Sequence, residues 1–206
     1  MKRLIVGVSG SSAPQLGLAV LRALREVPDL EIHLVISRGA ARSIAAEMGD
    51  EAAAGFSALA DVTYQPDNLA AAIASGSFRT AGMVVVPCSM RTLAAVATGN
   101  TGDLLTRAAD VCLKERRRLV LVTRETPLNL IHIRNMETVT LAGGVIMPPV
   151  PAFYHRPETI EDLLRHTAGK VLDLFGIDHR LFRRWEGFPE QDGADDLSGR
   201  SGGAPG

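Results

Sequence analysis

The chain has 206 residues, 46% of them hydrophobic, which suits one domain of ordinary size with a substantial core. Twenty-two basic side chains against 23 acidic ones leave a net charge of −1, so the basic excess that draws a protein to nucleic acid or an anionic membrane surface is missing. Two cysteines, Cys88 and Cys112, exclude a disulfide framework and a four-ligand zinc site, and a reducing cytoplasm is the expected location.

The first apolar run, 4–8, stops at Ser9-Gly10, too short for a signal-peptide core or a membrane span, and reads as a strand. Leu16, Val20, Leu21 and Leu24 at helical spacing predict a helix over 14–27, stopped by Pro28. Strands follow at 31–36 and, more weakly, at 62–64. Asp67 reads as the cap of a helix over 68–74. A strand at 83–86 precedes a helix over 104–115 capped by Asp103, and another strand occupies 119–122. Thr126-Pro127 reads as a cap with proline at the first helical position, opening a helix over 127–141 that Gly143-Gly144 stops. After a strand at 145–147, Pro148-Pro149-Val150-Pro151 holds the chain extended until Thr159 opens a last helix through Phe175. Strands rich in Val, Ile and Leu alternating with helices predict an α/β layered fold whose strand order is not readable. Residues 1–186 read as the domain, and 187–206, dominated by Gly, Asp, Ser, Glu and Pro, as a disordered tail.

Several turns carry candidate chemistry. Gly7-Val8-Ser9-Gly10-Ser11-Ser12 leaves a strand and enters a helix, offering backbone N–H groups and hydroxyls to a phosphate, although the same pattern suits a tight packing turn. It is neither a Walker loop nor a full dinucleotide fingerprint. Ser37-Arg38 stands where a nicotinamide enzyme needs an acid for the ribose, so NAD is disfavoured and NADP only tolerated. Pro87-Cys88-Ser89-Met90-Arg91-Thr92 is a second strand-to-helix turn, with Cys88 read as buried or lining rather than nucleophilic and Cys112 as core. Arg107 and Lys114, two helical turns apart, can share one face and point at one anion. Arg124-Glu125 directly follows a strand and can bind an anion and exchange a proton with it, or form a structural ion pair. With six Phe, two Tyr and one Trp in the chain, Tyr154 and Trp185 stand out; an interface or capping contact is the plain reading of Trp185. The five histidines lack metal-ligand spacing, and no metal is expected.

Together, Val6-Gly7-Val8-Ser9-Gly10, Pro87-Cys88-Ser89-Met90-Arg91-Thr92-Leu93, Arg107-Ala108-Ala109-Asp110-Val111, Leu113-Lys114-Glu115-Arg116-Arg117, Arg124-Glu125-Thr126-Pro127-Leu128 and the 146–154 stretch ending in Tyr154 closely resemble the UbiX flavin prenyltransferase family. The resemblance spans residues 1 to about 186. It implies a three-layer Rossmann-like (flavodoxin-like) subunit with a mostly parallel sheet, assembled as a homododecamer with FMN at subunit contacts. It implies transfer of a dimethylallyl group from dimethylallyl monophosphate to reduced FMN, without metal. The prenylated FMN would serve UbiD-type decarboxylases of ubiquinone or aromatic acid metabolism, and for that reason members were long labelled decarboxylases.

Carried over residue by residue, the resemblance implies FMN contacts at Gly10, Ser11, Ser12, Ser37, Ser89, Met90, Arg91 and Arg124. It implies prenyl-phosphate contacts at Arg107, Lys114, Arg124, Tyr154 and Lys170, with Trp185 reaching a neighbouring subunit's site. Glu125 would be the acid and base, with Lys114 and Ser12 also catalytic. The chain departs from the family in its first loop, where Ser-Gly-Ala-Ser-Gly-Ala is replaced by Ser9-Gly10-Ser11-Ser12-Ala13-Pro14. Arg91 replaces a lysine and Lys170 an arginine, which keeps charge but not shape. Two other functions fit the sequence less well: a non-catalytic FMN-binding accessory subunit of a decarboxylase, and a flavin-dependent cysteine decarboxylase, whose early histidine base and Pro-x-Met-Asn segment are missing.

Overall fold

The computed structural model describes residues 2–187, so the expected tail lies, apart from Gly187, outside the described residues. Six strands form one parallel sheet: β1 (Lys2–Val8), β2 (Leu30–Ile36), β3 (Val62–Tyr64), β4 (Gly82–Cys88), β5 (Arg118–Thr123) and β6 (Val145–Ile146). Their order is β3-β2-β1-β4-β5-β6. The helices are α1 (Pro14–Arg25), α2 (Arg38–Met48), α3 (Ala52–Ser57), α4 (Met90–Ala97), α5 (Leu104–Lys114), α6 (Leu130–Leu141) and α7 (Ile160–Leu174).

Successive side chains of a strand point to opposite faces, and the sheet uses both. Leu4, Val6 and Val8 of β1 join a cluster with Leu16, Val20 and Leu24 of α1, Ile44 of α2, Phe56 of α3 and Val171 of α7. Ile5 joins the opposite cluster with Leu93 of α4, Leu105 and Ala109 of α5 and Val139 of α6. The result is three layers with the central strands buried on both sides, which is why β1 and β4 carry runs as apolar as 4–6 and 83–86. Each fully buried Leu, Ile or Val contributes about 1.5–3 kcal/mol.

Helices α2, α4, α5, α6 and α7 start at side-chain caps, and α1 and α3 do not. Asp103 accepts from the Thr106 backbone N–H and Thr159 from that of Asp162, each in a reciprocal capping box. Two expected helices differ. Residues 68–74 form turns and a short 3₁₀ segment, Ala72–Ala74; Asp67 pairs with Arg38, and the Asn68 side chain accepts from the Ala70 N–H in a local turn. α6 begins at Leu130, three residues after Pro127, because Asn129 accepts from the His132 N–H and is the cap. α2 and α3 are elements that the sequence reading did not anticipate. Among the described residues no helix is long and apolar enough to cross a membrane.

Candidate active site

In a parallel sheet every helix that follows a strand starts at the carboxyl edge. The connections part at β1 and β4, one leading outward to β2 and β3 and the other to β5 and β6. Such a switch point leaves a crevice outside the carboxyl ends of the two central strands. The N-termini of α1, α2 and α4 open beside it, and their unpaired N–H groups and dipoles favour an anion.

Short hydrogen bonds tie the loops of this edge together. Buried Ser9 donates from Oγ to the Pro87 carbonyl at 3.0 Å and accepts from the Ser89 N–H at 2.8 Å, fastening the end of β1 to that of β4. Ser11 Oγ donates to the Arg124 carbonyl at 3.1 Å, and the Arg124 N–H donates to the Cys88 carbonyl at 3.1 Å. Ser37 caps α2 by accepting from the Ala40 N–H at 3.0 Å, and its own N–H bonds to Val8. Ser89 caps α4 by accepting from the Thr92 N–H. Gly10 packs directly on Gly39, so the first loop touches the first turn of α2 backbone to backbone. Gly10, Ser12, Arg91 and Glu125 are exposed along the crevice, while Ser11, Ser37, Ser89, Met90 and Arg124 are half-buried. Two cations, Arg91 and Arg124, and two carboxylates, Glu125 and the Glu47 that accepts from the Ala13 N–H at 3.0 Å, thus stand beside three helix N-termini and a row of hydroxyls. That donor set suits an anionic, hydroxyl-bearing ligand and can move a proton at Glu125.

Cys88 lies under this edge but is wholly buried, and burial pushes its thiol far above the ordinary value, so it is no nucleophile. Cys112, on α5, is pushed up by burial to about 12. Among the described residues no group of three or more His, Cys, Asp or Glu side chains could hold a metal ion.

The remaining predicted residues lie elsewhere in the chain, in two further groups. Arg107 and Lys114 do share one face of α5, as their spacing implied, but that face looks toward residues 74–76. Arg107 Nε donates to the Ala74 carbonyl at 3.2 Å, its guanidinium pairs with Asp110 at 2.8 Å, and Lys114 pairs with Glu115 beside Gly76. Lys114 ends a helix that carries the chain to the start of β5, and the five steps from Arg118 to Thr123 separate the two edges of the sheet by about 16 Å. Lys114 therefore belongs to the edge opposite Arg124.

The third group lies on α7 and its flanks. Tyr154 Oη meets His166 Nε2 at 3.4 Å, and the Tyr154 and Trp185 rings are edge-to-face with centroids 6.0 Å apart. Lys170 pairs with Asp173, which also holds Arg184 and His179. Although burial opposes it, the Arg184 hydrogen bond and charge keep the Asp173 carboxyl below the usual range. Gly169 lets the 179–182 segment lie against α7, because a Cβ there would sit 2.5 Å from Phe182 and 2.7 Å from His179.

Ser9 and His166 escaped the sequence reading as individuals. A serine ending a buried strand was a usable signal for the first. For the second the signal was a histidine inside an apolar helical stripe.

A family model described as Flavoprotein matches residues 1–171. The flavin prenyltransferase UbiX of Escherichia coli K12 is 52% identical over 189 residues, covering 91% of this chain and 100% of that protein. The crystal structure of AnUbiX (PadA1), in complex with FMN and dimethylallyl pyrophosphate, superposes with a TM-score of 0.87 at 50% identity, covering 91% of this chain and 99% of that one. A dodecameric FMN-dependent UbiX-like decarboxylase from Escherichia coli O157:H7 gives the same TM-score of 0.87 at 50% identity, over 90% of this chain and 100% of that one.

Proposed function

The chain belongs to the UbiX-like flavin prenyltransferase family, and on that premise we propose that it joins a dimethylallyl group from dimethylallyl monophosphate to reduced FMN, giving prenylated FMN. The observation that carries the reading is the β1–β4 crevice, where three helix N-termini, the serine hydroxyls and Arg124 stand beside an exposed carboxylate. The residues present fit the flavin: the N–H groups of Gly10 and Ser12 suit its phosphate, the Ser11 N–H being given to the Ser9 carbonyl at 2.8 Å, and the hydroxyls of Ser37 and Ser89 suit its ribityl chain. Half-buried Met90 offers an apolar surface to its ring system.

Bound reduced flavin supplies the nucleophilic ring atoms that accept the prenyl group. This chain's residues do the rest. Fixed cations meet the charge that develops on the departing phosphate, a preorganised stabilisation that needs no divalent ion. Glu125, next to Arg124, takes and returns the proton exchanged when the second bond to the ring closes, with Ser12 at the same edge.

One chain holds the cations in three separate groups, so we read the prenyl-phosphate pocket as composite. Arg124 and Glu125 come from one copy, while Arg107, Lys114, Tyr154, Lys170 and Trp185 reach it from neighbouring copies. Assembly is supported by α6, which leaves Leu130, Ile131, Ile133 and Leu141 exposed by 51–81% and buries only Val139, an apolar surface suited to another copy. The dodecamer of the UbiX-like relative is the assembly that suits this reading. The recipient of the product is taken to be a UbiD-type decarboxylase, and the compartment the cytoplasm.

Anaerobic incubation with reduced FMN and dimethylallyl monophosphate, followed by mass spectrometry of the flavin, tests the proposal. A flavin heavier by one prenyl unit is expected, with or without a chelator. Unmodified flavin under those conditions overturns it, and modification lost to the chelator overturns the metal-free chemistry.

A further inference from the structure

Tyr154 stands in the stretch between β6 and α7 that forms neither helix nor strand, so its ring must be held by its neighbours. Those neighbours centre on one residue. Among the described residues, its hydroxyl meets one side chain, His166 on α7, at 3.4 Å, and the two rings are edge-to-face at 5.9 Å. His166 is itself fixed. It is 7% exposed on a capped 15-residue helix, its ring stacks on His155 at 4.9 Å with planes 7° apart, and Phe182 closes the far side at 4.5 Å. Lys170 follows one turn later on the same helix face.

We propose that His166 is a positioning residue for prenyl-phosphate binding: its imidazole fixes the Tyr154 hydroxyl so that the phenol O–H is presented outward to the phosphate. The proposal rests on the flavin prenyltransferase reading, which gives Tyr154 its phosphate. A neutral imidazole that donates from Nε2 to the phenol oxygen leaves the phenol proton for a ligand, the tautomer being assigned from that chemistry. Burial first, then the charges of His155 and Lys170, hold the His166 pKa below its ordinary value, against a weaker opposing pull from Asp173. The ring therefore acts near neutral pH through direction and not through charge. No contact of His166 with the flavin or the reacting atoms is required.

The test is a double-mutant cycle of Tyr154→Phe and His166→Phe, read as the dissociation constant of dimethylallyl monophosphate by calorimetry on flavin-loaded protein and as KM against kcat. Each single variant is expected to raise the dissociation constant and KM about two- to tenfold, the range of one modest hydrogen bond, with kcat and flavin affinity little changed. The double variant is expected to lose no more than the worse single one, because both remove the same interaction. His166→Gln, which restores a donor at a similar reach, is expected to recover most of the loss. Additive losses, or a His166→Phe protein that binds the prenyl phosphate like wild type while Tyr154→Phe does not, overturn the positioning role. Wild-type binding by Tyr154→Phe overturns instead the assignment of Tyr154 to the phosphate, and the positioning role with it. Should His166→Phe not fold, His166→Met replaces it in the cycle with the same expected outcomes.

Discussion

Gly10 and Gly39 face each other where the first loop of the carboxyl edge meets the first turn of α2, and the space between them is unequal. A Cβ on Gly10 would lie 2.8 Å from the Gly39 carbonyl carbon and 2.9 Å from its Cα, both backbone atoms that cannot rotate away. Carbon atoms settle at about 3.5–4.0 Å, so Gly10→Ala must drive the loop and the helix apart by about 0.6 Å or more. Overpacking of that kind costs about 1–3 kcal/mol. It also shifts the Ser12 N–H relative to Ser37, and ångström-scale misplacement of binding groups costs up to about a hundredfold. Gly39→Ala is the matched control, since its Cβ would lie 3.4 Å from Gly10 Cα, an ordinary contact, inside a helix where alanine is favoured by about 0.5–1 kcal/mol. Denaturant unfolding and flavin fluorescence titration of both variants give the comparison: Gly10→Ala should be less stable and bind flavin more weakly, and Gly39→Ala should do neither. Equal behaviour of the two variants would refute the reasoning that this contact sets the spacing of the flavin loops.

Glu125→Gln should bind flavin normally while slowing prenylated-flavin formation about 10²- to 10⁴-fold, as lost proton transfer does; single-turnover mass spectrometry measures it, and wild-type turnover would remove Glu125 from the chemistry. Ile131→Glu, at a residue 68% exposed on α6, should leave the subunit folded but reduce its assembly, read by light scattering at matched concentration. Burial, opposed by Glu31, lowers the pKa of His33, whose Nδ1 sits 2.9 Å from the Tyr64 hydroxyl. The unfolded chain therefore takes up that proton first, and stability present above the ordinary value of 6.5 is lost as pH falls below it. His33→Gln should flatten the fall in stability as pH drops below the ordinary histidine value of 6.5, measured from denaturant midpoints on either side of it, and an unchanged pH dependence would remove His33 as its source.

The central strands were legible because burial on both faces leaves few polar residues to interrupt them, as in Met83–Val84–Val85–Val86, whereas β2 carries Glu31 and buried His33. α2 was not, since of its eleven residues only Ala40 and Ile44 are buried, too few to print a period. The turns at Ser9–Ser12, Ser37, Ser89 and Arg124–Glu125 could be recognised singly, yet their meeting at one crevice depends on strand order, which non-local pairing decides. The placement of Lys114 was half legible. Its shared face with Arg107 follows from helical spacing, and its distance from Arg124 follows from the direction of α5 once that helix is known to return the chain to the start of β5. His166 shows the opposite case, because the hydroxyl it meets belongs to a tyrosine twelve residues away in a segment without regular structure.

The division of the cations among three parts of the chain carries a genetic consequence. A chain crippled at Glu125 still owns an intact Lys114, and one crippled at Lys114 still owns an intact Glu125. On the proposed composite pocket, the two defective alleles co-expressed in one cell would populate mixed oligomers in which some pockets inherit both sound halves, so the hybrid would regain turnover that neither parent has. A monomer with a self-sufficient pocket would show no such intragenic complementation.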